Sequence, residues 1–383
     1  MIRKSALALL LFGAVITSAS AEDGITNDTI TLGTYGVFTG PAAAFSKGWF
    51  TAEKYYEEIN EKGGIHGRKI KVLREDDGCD PAKGMAAAKK LVSFDKVFIL
   101  HAGMCSNVAM ATRPIVEESK VPYINFAAAS DSIATPVATN IFQPNVTTSV
   151  GALNLVRFTA DSKPGKKIAL VSHSDEWGQS WRQPELAEMK KRNITPVEDV
   201  YLERSATDAT AQVLRLKQSG ADVIIANLYP TEIVIFLRDA QKYGLKVPVI
   251  ATHAVALEQT LDRLNDPAAV ENLYVFYPLI APLQDAKMKP WIDLAKKARP
   301  NEAADFLSVI GIGGAVVVKK ALEDAGPNPT REKVIAALNN MKNFDTGVMA
   351  APLTFAPDDH VGLKSGNMIA YRDGKPTLVT RIR

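Results

Sequence analysis

The sequence predicts an α/β protein: two α/β units in tandem, followed by a block of helices. Short apolar runs, of the kind that form buried parallel strands, alternate with longer segments of helical spacing. The alternation runs to residue 124, pauses, and restarts after Pro144. The length of 383 residues and a composition of 46% hydrophobic and 23% charged residues agree with two ordinary domains. Each is large enough to bury a core without metals or many disulfides.

The first unit opens with a strand at 30–35. An amphipathic helix follows at 45–61, with Phe45, Trp49, Ala52, Tyr56 and Ile59 on one face, and Gly63-Gly64 ends it. A strand at 70–73 precedes a helix at 81–94 whose first turn holds Pro81. A strand at 97–100, a helix at 110–118 and a strand at 121–124 complete the unit. The second unit reads as helix 150–159, strand 168–171, helices 178–191 and 209–218, strand 223–226, helix 232–243 and strand 247–251. Three further helices are expected at 285–298, 306–324 and 331–340. The tail from 353 is rich in turn residues and short strand-like pieces.

Residues 1–21 read as a secretory signal peptide that is removed on export: Arg3 and Lys4 precede an apolar run and Ala19-Ser20-Ala21 ends it. The alternative is a short membrane anchor, but the run falls short of the ~20 residues that span a bilayer. The residue directly after the cleavage site is Glu22 and not Cys, which argues against a lipid anchor. With 45 basic and 42 acidic residues, the net charge of +3 is too balanced for a nucleic-acid-binding surface. Composition excludes collagen-like, coiled-coil and disordered classes. Cys79 and Cys105 are the only cysteines. In an oxidising compartment such a pair suggests one disulfide, with two separate buried thiols as the alternative. Two cysteines alone build no structural zinc site.

Catalytic motifs are mostly absent. There is no nucleophile elbow, P-loop, zinc-protease helix or C-x-x-C. Gly311-Ile312-Gly313-Gly314 opens like a dinucleotide fingerprint, but Val316 stands where its third glycine belongs, so close helix packing is the better reading. The five histidines show no metal-ligand spacing, and nothing asks for a cofactor. Ligand-binding features are better represented. In open α/β sheets, ligands sit at the carboxyl ends of strands. There the sequence offers the loop 101–107, with Ser106, and the loop 125–131, with Ser130. Helix N-termini with free amides and a hydroxyl hold carboxylates, while plain N-capping is the alternative for both serines. Trp177 and Tyr229 follow strand ends and are candidates to line a cleft or to pack in the core.

Several segments together resemble one family. They are Gly40-Pro41, Asn60 to Gly67 (NEKGGIHG), Asp76-Asp77-Gly78-Cys79-Asp80-Pro81, Cys105-Ser106, and Tyr243-Gly244-Leu245. The chain is similar, over essentially its whole exported length, to the periplasmic leucine/isoleucine/valine-binding proteins, the solute receptors of ABC importers. The resemblance implies a type I periplasmic binding protein fold: two discontinuous lobes joined by three hinge crossings, near 143–147, 275–279 and 347–353. The first lobe would then hold 22–145 and 277–350, and the second 146–276 and 351–383. The tandem reading needs that correction. The implied mechanism is hinge closure around a small solute and docking on a membrane permease, as a monomer and without bond-making.

Site residues carry over one at a time. Cys79 and Cys105 match the family disulfide. Ser106 matches a hydroxyl that holds the ligand carboxylate, and Ala127 or Ala128 a backbone donor in the same cradle. Ser130 stands for a Thr or Ser of relatives. Phe45, Trp177 and Tyr229 match aromatic walls, and Phe306 adds apolar contact. His253 departs from the pattern, because amino-acid-binding relatives place a carboxylate there for the ligand ammonium. A buried ammonium without such a partner costs several kcal/mol. The expected ligand is therefore an aromatic or other carboxylate without an α-ammonium. The alternative is a branched-chain amino acid, its ammonium paired by Asp131, Asp175 or Glu176. The competing function classes are a ligand-sensing module of the same fold and an exported enzyme.

Overall fold

The computed structural model describes residues 22–40, 43–162, 165–203 and 206–382, so the signal peptide expected at 1–21 lies outside the described residues. The first sheet holds β1 (Thr29–Gly36), β2 (Lys69–Asp76), β3 (Ile99–Ala102), β4 (Tyr123–Asn125) and β5 (Ile141–Phe142). Its order is β2-β1-β3-β4-β5 and every pairing is parallel. Helices α1 (Lys47–Glu61), α2 (Pro81–Lys89) and α3 (Ser106–Ser119) supply the crossovers.

The second sheet takes β6 (Ile168–His173), β7 (Glu198–Leu202), β8 (Val223–Asn227), β9 (Val249–Ala251), β10 (Leu273–Tyr277), β11 (Asn367–Arg372) and β12 (Lys375–Arg381). Its order is β12-β11-β10-β9-β8-β6-β7, parallel from β10 to β7, with β11 and β12 antiparallel. Helices α4 (Thr148–Ser162), α5 (Glu176–Lys191), α6 (Thr210–Gln218), α7 (Pro230–Lys242), α8 (Leu257–Leu264) and α9 (Pro267–Val270) belong with it. All six residues of β6 and all five of β8 are buried, as strands covered on both faces must be.

After β10 the chain returns to the first sheet's helices. There α10 (Lys289–Ala298), α11 (Phe306–Val309) and α12 (Ile312–Ala325) pack on α1, and α13 (Arg331–Asn339) packs on α12. The tail then adds β11 and β12 to the second sheet. The tandem arrangement is thus replaced by two discontinuous lobes. Backbone hydrogen bonds tie the connecting segments together. Gln143 N–H donates to His360 O at 2.8 Å and Gly362 N–H to Gln143 O at 2.8 Å. Ile280 N–H donates to Val348 O at 2.8 Å and Ala350 N–H to Pro278 O at 2.9 Å.

Three local differences have clear causes. Helix α3 starts at Ser106 rather than 110, because Cys105 is extended and serves as its N-cap residue. Strand β7 escapes the sequence reading because it is an edge strand, EDVYL, with polar residues among its apolar ones. The helix expected at 306–324 is two helices, since Gly311 between α11 and α12 has φ of +84°. A Cβ at Gly311 would lie 2.4 Å from the Phe126 ring, and one at Gly314 would lie 2.6 Å from His101 Nε2. The Gly311-to-Gly314 stretch therefore serves close packing.

Gly311→Ala combines a left-handed backbone with a clash in the core. It is expected to cost about 3 kcal/mol of unfolding free energy. A urea denaturation midpoint within error of the wild type would contradict this account.

Candidate functional site

The first lobe builds a cradle from two strand ends. The backbone turns sharply after β3 at Gly103, whose φ is +92°. Cys105 then bonds to Cys79 with a Cα–Cα distance of 5.7 Å, which fixes the start of α3 to the loop after β2. The first intrahelical bond of α3 is Ala109 N–H to Cys105 O, so the amides of Ser106, Asn107 and Val108 belong to the helix's open N-terminal end. Ser106 Oγ accepts from the amides of Ala129 at 3.2 Å and Ser130 at 3.3 Å. A hydroxyl, two convergent amides and the positive end of a 14-residue helix suit a carboxylate.

The backbone donors differ from those expected. Ala127 and Ala128 both donate to Gly103 O, at 3.0 and 2.9 Å. The amides that face Ser106 are those of Ala129 and Ser130. The Ser130 hydroxyl is turned away, toward Met110 Sδ at 3.2 Å. Side chains hold this loop from behind: Asn125 and Gln143 donate to Ala128 O at 2.6 and 3.1 Å.

The second lobe contributes an aromatic arc. Tyr229 and Trp177 stack at 4.3 Å, Trp177 meets Trp181 at 6.1 Å, and Trp181 meets His253 at 5.6 Å. Phe306, from the first lobe, closes the arc at 6.3 Å from His253 and 5.5 Å from Tyr277. Trp177, Tyr229, His253 and Phe306 thus come together along one wall. Phe45 has 49% of its surface exposed. Burial pushes the His253 imidazole down to about 4, so it is neutral at physiological pH.

The alternative carboxylates are engaged elsewhere. Asp131 accepts from Thr148 Oγ at 2.8 Å and Ser149 N at 3.0 Å, which caps α4. Asp175 caps α5 through Gly178 N at 3.0 Å and meets His173 and the Tyr229 hydroxyl. Burial opposes its ionisation, but the Gly178 amide, His173 and Tyr229 together hold its pKa below the usual range. Glu176 is exposed. Two residues of this region carried no sequence signal. Glu258, in the first turn of α8, has both carboxylate oxygens buried without a hydrogen bond. The Tyr277 hydroxyl, also buried, likewise lacks a partner. Tyr277 ends a strand that was expected only as a hinge crossing.

Beneath the arc, Glu185 is fully buried and accepts from Asn227 Nδ2 at 2.7 Å. Burial raises its pKa to about 8, against the weaker pull of Asn227. No group of three or more metal-ligating side chains occurs among the described residues. No described helix is long and apolar enough to cross a membrane.

Two α/β lobes with facing strand ends define a type I solute-binding fold. The chain belongs to the periplasmic binding protein family, whose model matches residues 29–375. A leucine-, isoleucine-, valine-, threonine- and alanine-binding protein of Pseudomonas aeruginosa is 26% identical over 379 residues, covering 97% of each chain. A branched-chain amino acid ABC transporter protein from Thermus thermophilus, solved with valine, superposes with a TM-score of 0.80 at 20% identity. That match covers 92% of this chain and 96% of the other. A solute-binding protein of R. palustris, solved with 4-hydroxybenzoate, gives a TM-score of 0.76 at 24% identity, covering 93% and 96%.

Glu185 also makes a prediction. Its folded pKa of about 8 lies above the ordinary 4.5, so the native state keeps a proton that the unfolded chain loses. That contribution is intact below the ordinary pKa, and stability falls as pH rises toward the folded value. Glu185→Gln is expected to flatten this slope and to be about 2 kcal/mol more stable than the wild type at pH 8. Urea denaturation at pH 5, 6.5 and 8 reads the difference; parallel slopes for the two proteins would place the proton elsewhere.

Proposed function

We propose that this chain is the periplasmic solute receptor of an ABC importer. It is exported by its signal peptide and acts as a monomer. It captures a small carboxylate-bearing solute by closing its lobes and hands it unchanged to a membrane permease. The lobes in this reading comprise 22–145 with 277–350, and 146–276 with 351–383. The solute is an aromatic or other non-amino carboxylate.

The observation that carries this reading is the aromatic arc that ends on a neutral His253. An α-ammonium at that place would meet an uncharged imidazole and lose several kcal/mol of solvation without a partner. A flat ring gains apolar burial against the wall instead, at about 25 cal/mol per Å². Asp131 and Asp175 are both committed to capping helices. The R. palustris protein with 4-hydroxybenzoate and the T. thermophilus protein with valine are examples of one fold serving different ligands.

At the first lobe, an entering carboxylate takes the Ala129 and Ser130 amides, and the Ser106 hydroxyl turns from acceptor to donor. Closure brings the second lobe's aromatics over the ring. The solute shifts the open–closed equilibrium by its differential contacts with the closed form.

Thermal unfolding of the mature protein tests the reading. Benzoate, hydroxybenzoates or coumarate at 100 times their Kd add about 2.7 kcal/mol and are expected to raise Tm by several degrees. Leucine and valine are expected to leave Tm unchanged. Ser106→Ala should weaken the aromatic acid at least ~10-fold by calorimetry, through loss of a bond to a charged group. Stabilisation by leucine or valine alone would overturn the ligand assignment.

A further inference from the structure

Buried polar atoms are nearly always hydrogen-bonded in folded proteins. At the seam between the lobes several are not. Thr252 Oγ, His253 Nδ1, the Tyr277 hydroxyl and both oxygens of Glu258 are sealed from solvent without a partner. Thr252 is 0% and Tyr277 2% exposed. These residues come from β10 and from the loop and helix that follow β9, and they converge on one place. Tyr277 and His253 flank the Phe306 ring at 5.5 and 6.3 Å, and the charge of Glu258 acts on the Tyr277 hydroxyl. Gln259, the neighbour of Glu258, donates to Asp305 of the first lobe at 3.2 Å, which puts this end of α8 against the opposite lobe.

The charges around Glu258 sharpen the point. Burial raises its pKa, Asp262 raises it further, and weak hydrogen-bonding contacts with its own backbone and the Gln284 side chain, short of normal geometry, lower it. No cation acts on it. An unpaired buried carboxylate of this kind costs several kcal/mol unless something donates to it.

We propose that Glu258, Tyr277 and His253 form a polar subsite for a hydrogen-bond donor at the end of the solute remote from its carboxylate. The preferred solute is then a hydroxylated aromatic acid rather than an unsubstituted one. Glu258 accepts from the ring hydroxyl, and Tyr277 or His253 completes the hydroxyl's bonding. This specificity rests on the reading that the solute is an aromatic carboxylate bound between the lobes.

Calorimetry of the mature protein with benzoate, 3- and 4-hydroxybenzoate, 4-methoxybenzoate and leucine tests it. One hydroxybenzoate is expected to bind at least ~10-fold more tightly than benzoate and 4-methoxybenzoate, since only the hydroxyl donates. Glu258→Leu, which removes the acceptor that a Gln amide would keep, should abolish most of that preference while benzoate affinity changes less than about 2-fold. Should Glu258→Leu fail to fold, Tyr277→Phe is the second variant, with the same loss of preference expected. Equal affinities for benzoate and both hydroxybenzoates would overturn the subsite and leave the aromatic-acid reading standing. A preference that persists in both variants would also overturn the subsite. Binding of leucine with no binding of any aromatic acid would overturn the reading itself, and the subsite with it.

Discussion

Asp131 joins the two lobes beside the loop whose amides converge on Ser106. Its carboxylate lies in the loop after β4 and caps α4, the first helix of the second lobe, through Thr148 and Ser149. Next to it, Thr148 N–H donates to Ala129 O at 2.9 Å. The two amides that face Ser106 belong to Ala129 and Ser130, in this same short loop. A pull on those amides therefore reaches the helix at the start of the second lobe through two or three hydrogen bonds. The disulfide supplies the counter-support, because it anchors the start of α3 to the loop after β2. Recognition and interlobe geometry share one set of bonds.

Three titratable groups of this region are held neutral by burial, while Asp175 beside Tyr229 stays ionised. Burial lowers His101 to about 3 and His253 to about 4, and raises Glu185 to about 8. All three are neutral at pH 7. His101 Nδ1 pairs with the Tyr56 hydroxyl at 2.8 Å and Glu185 Oε2 with Asn227, while His101 Nε2 and Glu185 Oε1 lack partners. Each is a polar group at or below the carboxyl end of a strand, where a doubly covered sheet exposes backbone to the cleft. Neutrality allows them to be buried at the cost of one hydrogen bond each, rather than at the cost of an unpaired charge. Glu258 breaks this rule, as functional positions often do.

The sheets were legible in the sequence because their strands are covered on both faces and read as unbroken apolar runs, as Ile168–His173 does apart from its polar end. Edge strands lack that signal, so β7 was missed. Helix bounds failed where one backbone angle decides them: the left-handed Gly311 splits a helix whose apolar pattern runs on without a break. The same holds in the site. Strand-end positions pointed to Ser106, Trp177 and Tyr229, because topology alone fixes where strand ends go, and His253 emerged only from the family resemblance. The donors in the cradle were displaced by two residues, since Gly103 turns its carbonyl onto Ala127 and Ala128. No spacing rule encodes that. Glu258 and Tyr277 were invisible for a different reason. A glutamate near a helix start and a tyrosine in an aromatic strand are ordinary in sequence, and only their place beside Phe306 and His253 in three dimensions draws them out.

Closure also needs contacts that make the closed form accessible without making it permanent. Phe306 reaches His253 and Tyr277, and Gln259 reaches Asp305, which Lys47 holds from its own lobe at 2.8 Å. One hydrogen bond to a carboxylate and a few ring contacts are worth about 2–4 kcal/mol together. Against that stand the unpartnered atoms of Thr252, Tyr277 and Glu258, whose desolvation opposes a closed but empty cleft. The two terms have opposite sign, and the opposing one is the larger. A solute that satisfies those atoms removes the opposing term, so the same seam that resists empty closure rewards closure around the right molecule. Selectivity and conformational coupling then arise from one physical cause, the cost of leaving a buried acceptor without its donor.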